Sequence, residues 1–365
     1  MKTAPVALSA RTALLALSAL ASTTALAQTQ VTVYGLLDTG IEFATNANPA
    51  HDRVLRLTSG GMNTSRLGFK GSEDLGGGLK ALFQLESGLM LDTGAVDGAL
   101  FKRQANVGLS GSFGRVVAGR SYDTSYDFML PFDPMGYAPN YSWVTSGNGT
   151  AASKYGMPTA FDNIIKYQGQ FGPLKLGASY GFGEQPGSFS DSAKYNAGLV
   201  YASGPFSVGA TYDRVNGNTV APGGGRKQTS TVHLAAAYSV TKDVSLKAGY
   251  RNYKQTAETA LPDVRADLYW GGVNYQATPV LGLTGAVYYQ DVKNVADGTD
   301  ADPVMVVLRA KYALSKRTWL YAAGAYAKAR NNQLVGLTRD SSADGGVSGF
   351  ASSQTGLTLG IQHRF

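Results

Sequence analysis

The chain has 365 residues, of which 44% are hydrophobic and only 16% charged, against about 25% charged in ordinary soluble domains, yet its mean hydropathy is only -0.11. With 46 Gly, 21 Tyr, 13 Pro and no Cys, it is not a disulfide scaffold, a cysteine zinc module, a collagen or a disordered tail. A net charge of +7 and a pI near 9.3 keep nucleic acid open as a partner only until the start of the chain is considered.

Lys2 and Arg11 precede or flank an apolar stretch from Ala13 to Ala21, and Ala25-Leu26-Ala27 forms a small-x-small cleavage pattern before Gln28. The apolar run is too short to span a bilayer, so residues 1–27 are predicted to be a secretory signal peptide and 28–365 the mature domain. Export removes the chain from nucleic acid, and no later apolar run is long enough for a transmembrane helix.

From Gln28 onward the recurring signal is alternation. Strands are predicted near 30–43, 61–71, 79–91, 101–111, 115–120, 161–171, 174–183, 193–202, 206–214 and 229–240. Six more are predicted near 244–255, 264–276, 281–292, 304–314, 318–330 and 354–365. In the last of these, Leu357, Leu359, Ile361, His363 and Phe365 share one parity and Thr358, Gly360, Gln362 and Arg364 the other, which in a strand means opposite faces. Tight connections such as Gly172-Pro173 and Gly204-Pro205 alternate with long polar ones such as 216–227 and 331–353. The fold class is therefore all-β, a 16-stranded antiparallel transmembrane β-barrel, with lipid outside and water inside. A soluble sandwich would bury large apolar residues inward, whereas here the second face is Thr, Ser, Gly, Lys and Arg. Tyr250, Tyr253, Trp270, Tyr275, Tyr288, Tyr289, Trp319 and Tyr321 lie toward strand ends and are expected to form interfacial girdles.

Parity places Lys70, Lys80, Lys166, Lys247, Arg309 and Lys311 in the lumen, with Lys175, Arg251, Lys328 and Arg364. Fewer acids join them: Asp38, Glu42, Glu86 and Asp213. The excess of base predicts mild anion preference. Catalysis is not expected. The three His, His51, His233 and His363, belong to no ordered nucleophile motif or ligand spacing, and Pro222-Gly223-Gly224-Gly225-Arg226 lacks the ending of a phosphate loop, so neither a metal nor a cofactor is expected.

Four blocks, Val33-Tyr34-Gly35-Leu36-Leu37-Asp38, Ser65 to Gly76 (SRLGFKGSEDLG), Phe113 to Arg120 (FGRVVAGR) and the ending Gln362-His363-Arg364-Phe365, resemble the Gram-negative trimeric general porins of the β-proteobacterial type. The resemblance covers essentially the mature chain. It implies a homotrimer in the outer membrane of a Gram-negative bacterium, surrounded by lipid and lipopolysaccharide, passing ions and small hydrophilic solutes by passive diffusion. The terminal Phe365 would be read by the barrel-assembly machinery.

It also implies that the third long loop, 121–160, folds inward. That loop carries Asp123, Asp127 and Asp133 among aromatic and Pro residues, which suit a semi-rigid flap. Facing it the family places wall arginines, here Arg66, Arg103 and Arg120. At Arg103 motif and alternation disagree, because Ala105, Val107 and Leu109 share its parity, and Ala160 stands about where many relatives have a further Arg. A substrate-specific channel for a small organic acid or sugar, or a surface adhesin, are the alternatives. Tyr122, Tyr126, Phe128, Phe132, Tyr137 and Tyr141 in the loop keep the first open.

Overall fold

The computed structural model describes residues 30–145, 156–219, 225–256, 263–293, 302–337 and 350–365; the proposed signal segment 1–27 lies outside them. Alternation becomes strand throughout. The strands are β1 (Gln30–Ala44), β2 (Val54–Ser59), β3 (Arg66–Gly76), β4 (Leu79–Gly88), β5 (Gln104–Gly111), β6 (Gly114–Tyr122), β7 (Ala160–Phe171), β8 (Leu174–Gly181) and β9 (Lys194–Ser203). The second half comprises β10 (Phe206–Thr219), β11 (Arg226–Ser239), β12 (Val244–Thr256), β13 (Val264–Gln276), β14 (Leu281–Lys293), β15 (Val304–Ala313), β16 (Thr318–Lys328) and β17 (Ser353–Arg364).

These 17 segments make sixteen staves. β1 pairs with β2 over Thr39–Ala44 and with β3 over Gln30–Leu36, so β2 and β3 are one stave interrupted at 60–65. The expected strand at 61–71 thus begins later, at Arg66, and the segment at Val54–Ser59 is strand where the sequence suggested only loop. β17 pairs antiparallel with β1, from Leu36 opposite Arg364 to Ala44 opposite Gly356, which closes the sheet and leaves no free edge.

Burial is inverted relative to a soluble protein. On β17, Leu357, Leu359 and Ile361 are exposed while Thr358, Gln354 and Gln362 are buried. On β11, Leu234 is 53% exposed and His233 is 0% exposed. An apolar outer face is stable only against hydrocarbon, so the sheet is a membrane-spanning barrel. The tight turns and both described chain ends lie at one rim, the periplasmic one, and the long loops at the other. Gly172 and Gly204 sit in two-residue turns at φ 57 and 55, a left-handed backbone that glycine adopts without strain.

The girdle expectation holds for part of the aromatic set. Tyr250, Tyr275 and Tyr289 of that set face outward, and Tyr250 and Tyr289 each stand in register with Tyr269 across the outside of β12–β14, with ring centroids 5.1 and 6.2 Å away. Tyr253, Trp270, Tyr288 and Tyr321 are instead buried inside the barrel, and Trp319 shares the parity of Tyr321. Alternation within each strand, not nearness to a strand end, decides the side.

Candidate pore constriction

Residues 123–145 leave the wall after β6 and lie inside the barrel. Asp123 accepts from the Tyr126 amide at 2.6 Å and caps a short helix, α1 (Thr124–Met129), which the alternation did not announce; a 3-10 turn at Leu130–Phe132 follows. Beyond it the loop is tied to the opposite wall. Trp270 Nε1 donates to Phe132 O at 3.0 Å, Tyr288 OH to Asp133 Oδ1 at 2.5 Å, and Asn140 Nδ2 to Glu42 Oε1 at 3.1 Å. Phe128, Met129, Phe132, Met135, Tyr141 and Trp143 are almost wholly buried and pack with Leu268, Trp270, Met305 and Val307 of the wall. Each large side chain so buried contributes about 1.5–3 kcal/mol, so the loop has its own core within the barrel.

The three loop acids have different fates. Asp127 keeps partial exposure but is neutralised by Lys166, whose Nζ reaches its Oδ2 at 2.5 Å and the Tyr122 carbonyl at 2.7 Å. Asp133 is fully buried; its carboxylate accepts from the amides of Met135 and Tyr137, the Ser142 hydroxyl and Tyr288. Asp123 is also fully buried, and burial, together with the Asp213 carboxyl, pushes it well above the usual carboxylate range. Two of the three acids expected to face the gap therefore hold the loop in shape.

Among the wall arginines, Arg66 lies on the inward parity of β3 with Gly68 and Lys70 and has no ion pair among the described residues. Arg103 precedes the first residue of β5, so strand parity does not govern it. Its side chain is buried against Glu86, Nε to Oε1 2.7 Å, and its guanidinium lies over the Tyr122 ring at 5.5 Å. This resolves the disagreement between motif and alternation in favour of an inward side chain. Arg120 is a correction. It is in register with Ala105, whose parity fellows Val107 and Leu109 are exposed outside, and it pairs with Asp162, itself 60% exposed. A register shift between Gly119 and Ser121, with Asn163 at φ 59 on the neighbouring strand, sets this local geometry.

Of the expected lumen bases, Lys70 stands over the Tyr34 ring at 5.3 Å, Lys247 reaches the Asp133 carbonyl at 3.3 Å and Arg309 donates to Thr284 Oγ1 at 2.7 Å. Lys311 lies over the Trp319 ring at 4.1 Å, and Lys80 is exposed on the inward parity of β4. Lys166, 1% exposed, is a loop anchor rather than a free lining charge. Arg251 likewise donates to the carbonyls of Trp143 and Val144. Lys328 lies on the outward parity of β16. Tyr34 and Gln84, which alternation alone could have found, complete the wall near the gap, where Tyr34 OH donates to Glu86 Oε2 at 2.8 Å and accepts from Gln84 at 2.6 Å.

A closed barrel with an inward loop and a polar lumen has counterparts. Residues 12–332 match the family model described as Gram-negative porin. Outer membrane porin protein 32 of Delftia acidovorans is 32% identical over 93% of this chain and 95% of its own length. An outer membrane porin protein of Bordetella pertussis is 30% identical over the same shares. A solved structure described as an anion-selective porin from Comamonas acidovorans covers 93% of this chain and 100% of its own at 27% identity, with a TM-score of 0.78. The trimer form of an outer membrane protein of Vibrio cholerae shares the fold, with a TM-score of 0.70 at 18% identity. The chain belongs to the Gram-negative porins. It is an outer-membrane channel for the passive diffusion of ions and small hydrophilic solutes.

Proposed function

We propose that the channel prefers anions and that its constriction lies between the inward loop and the wall bearing Arg66, Lys70 and Arg103. The observation that carries this reading is an asymmetry of pairing. Inward-facing Glu42, Glu86 and Asp127 are neutralised by Arg56, Arg103 and Lys166, while Asp38, Asp123, Asp133 and Asp213 are buried behind hydrogen bonds. Among the described residues, Arg66, Lys70, Lys80, Arg309, Lys311 and Arg364 have no ion pair and keep a positive field in the lumen. A narrow low-dielectric passage focuses such a field and raises the local anion concentration, over a screening length of about 8 Å at physiological salt.

The tyrosines of the loop favour general over sugar-specific passage. Tyr122 and Tyr126 stack on each other at 4.4 Å, Tyr137 packs on Tyr126 at 4.9 Å, and Arg103 covers Tyr122, so one another's faces are occupied rather than offered to a solute. Residues 1–27 would direct export, Phe365 would serve the assembly machinery, and the working unit would be a homotrimer embedded in lipid and lipopolysaccharide. Bilayer recordings in a salt gradient test the central point. The reversal potential should take the anion-selective sign and move toward zero in Arg66→Gln; a cation-selective sign in the parent protein overturns the reading.

A further inference from the structure

On the periplasmic side of the loop, the inner wall holds a cavity of about 290 Å³. Its inward-facing lining is Ser245 of β12, Asn274 and Gln276 of β13, Thr284 of β14 and Arg309 and Lys311 of β15. We propose that this recess is a binding site for a small dicarboxylate in transit, with Arg309 and Lys311 each holding one carboxylate; the proposal rests on the anion-preferring reading above.

Three observations support it. First, the two cations alternate on one strand, so they point the same way about 7 Å apart along the chain, a spacing that suits a solute charged at both ends. Second, neither has an ion-pair partner among the described residues. The carboxylate that does line the cavity, Asp243, is on the turn before β12, where Lys242 Nζ lies 3.5 Å away. Third, Arg309 is placed for a ligand. One terminal nitrogen donates to Thr284 Oγ1 at 2.7 Å, Asn274 Nδ2 donates to the same hydroxyl at 2.8 Å, and Arg309 Nε is buried with no partner. A guanidinium so held, short of acceptors, gains most from an anion.

Lys311 is positioned too. Its ammonium rests on one ring, Trp319, that Arg364 also approaches at 5.1 Å, so a further positive charge stands beside the recess. Ser245 and Gln276 offer neutral donors. The volume lies at the lower end of ordinary ligand sites and admits only a small solute.

Single-channel recordings of the assembled protein in potassium chloride, titrated with succinate, test the site. Saturable reduction of current is expected, with the half-blocking concentration rising at least tenfold in the Arg309→Gln, Lys311→Gln double variant. It should stay near the parent value in the charge-keeping Arg309→Lys, Lys311→Arg variant and in the outward-facing Lys328→Gln. Acetate at equal ionic strength should give no saturable block. The site is overturned if succinate never saturates, if the neutral double variant blocks like the parent, or if acetate blocks as well as succinate. An anion-selective reversal potential without saturable block would sink the site and leave the anion-preferring channel standing, whereas a cation-selective potential would sink that reading itself. Heat-modifiable gel mobility confirms that each variant is folded.

Discussion

Glu86 and Arg103 show how one pair of residues sets the charge of a wall. Both are nearly buried, at 5% and 8% exposure, and Glu86 also accepts from Tyr34. Removing one member of such a pair leaves the other uncompensated, at a cost of about 3–5 kcal/mol when fully buried and less beside lumenal water. Glu86→Gln is therefore expected to lower thermal stability and, by freeing the charge of Arg103, to move the reversal potential further toward anion selectivity. An unchanged potential would mean that Arg103 does not contribute to the field. Asp123 allows a second expectation at this scale. Its carboxyl is raised by burial and by Asp213, with Lys166 also nearby and His233 beside Asp213, so the folded state favours the protonated form. Its contribution to holding the loop is present in acid and declines as pH climbs from about 4, the ordinary carboxylate value, through the raised one. Closures of the channel should therefore become more frequent as pH rises. Asp123→Asn keeps an oxygen for the Tyr126 amide and should flatten that dependence in recordings at several pH values.

At the scale of the element, the inward loop is a folded unit whose stability is separate from that of the wall. Asp133 is its central fastener, joining two loop amides and Ser142 to Tyr288 of β14. In Asp133→Ala the buried donors lose their acceptor, each at about 1–3 kcal/mol, while the strand ladders are untouched. Noisier open-channel current and more frequent closing are expected, with little change in the melting of the barrel; a current as quiet as the parent's would show that the apolar contacts alone hold the loop. The loop's place inside the barrel was not legible in its residues. Pro131, Pro134 and the aromatics suggest stiffness, and only the resemblance to porins suggested which way it turns. The reason is physical: Asp133 and Tyr288 are 155 residues apart, and no local pattern records that contact.

At the scale of the molecule, the seam that closes the barrel extends as far as Phe365. Phe365 N donates to Gly35 O at 3.2 Å and Gly35 N to Phe365 O at 3.0 Å, which adds one pair to the seam between β17 and β1. A Cβ on Gly35 would meet the Phe365 ring and would stand 2.7 Å from the Arg66 carbonyl, which is backbone and cannot turn aside. Gly35→Val is accordingly expected to reduce the yield of heat-modifiable barrel on refolding into detergent or lipid, and a normal yield would show that the seam tolerates the displacement. The outer surface, with Val107 at 61% and Leu308 at 68% exposure, makes the membrane part of the fold.

The sequence by itself determined the class, the staves and the sides of most wall residues, because alternation is local and each strand repeats it. Arg66, Lys70, Lys247, Arg309 and Lys311 each share the parity that their strand turns away from its exposed apolar face. Alternation pointed the wrong way at Arg103, where the porin motif agrees with the structure; the resemblance, not alternation, put Arg120 at the gap; and neither anticipated the break between β2 and β3. Only the tertiary structure decided which charges remain unpaired. Lys166 and Asp127 lie 39 positions apart, and Arg103 and Glu86 lie 17 apart. Parity says which way a charge points, but its partner depends on distances across the barrel, and those exist only once the sheet has closed.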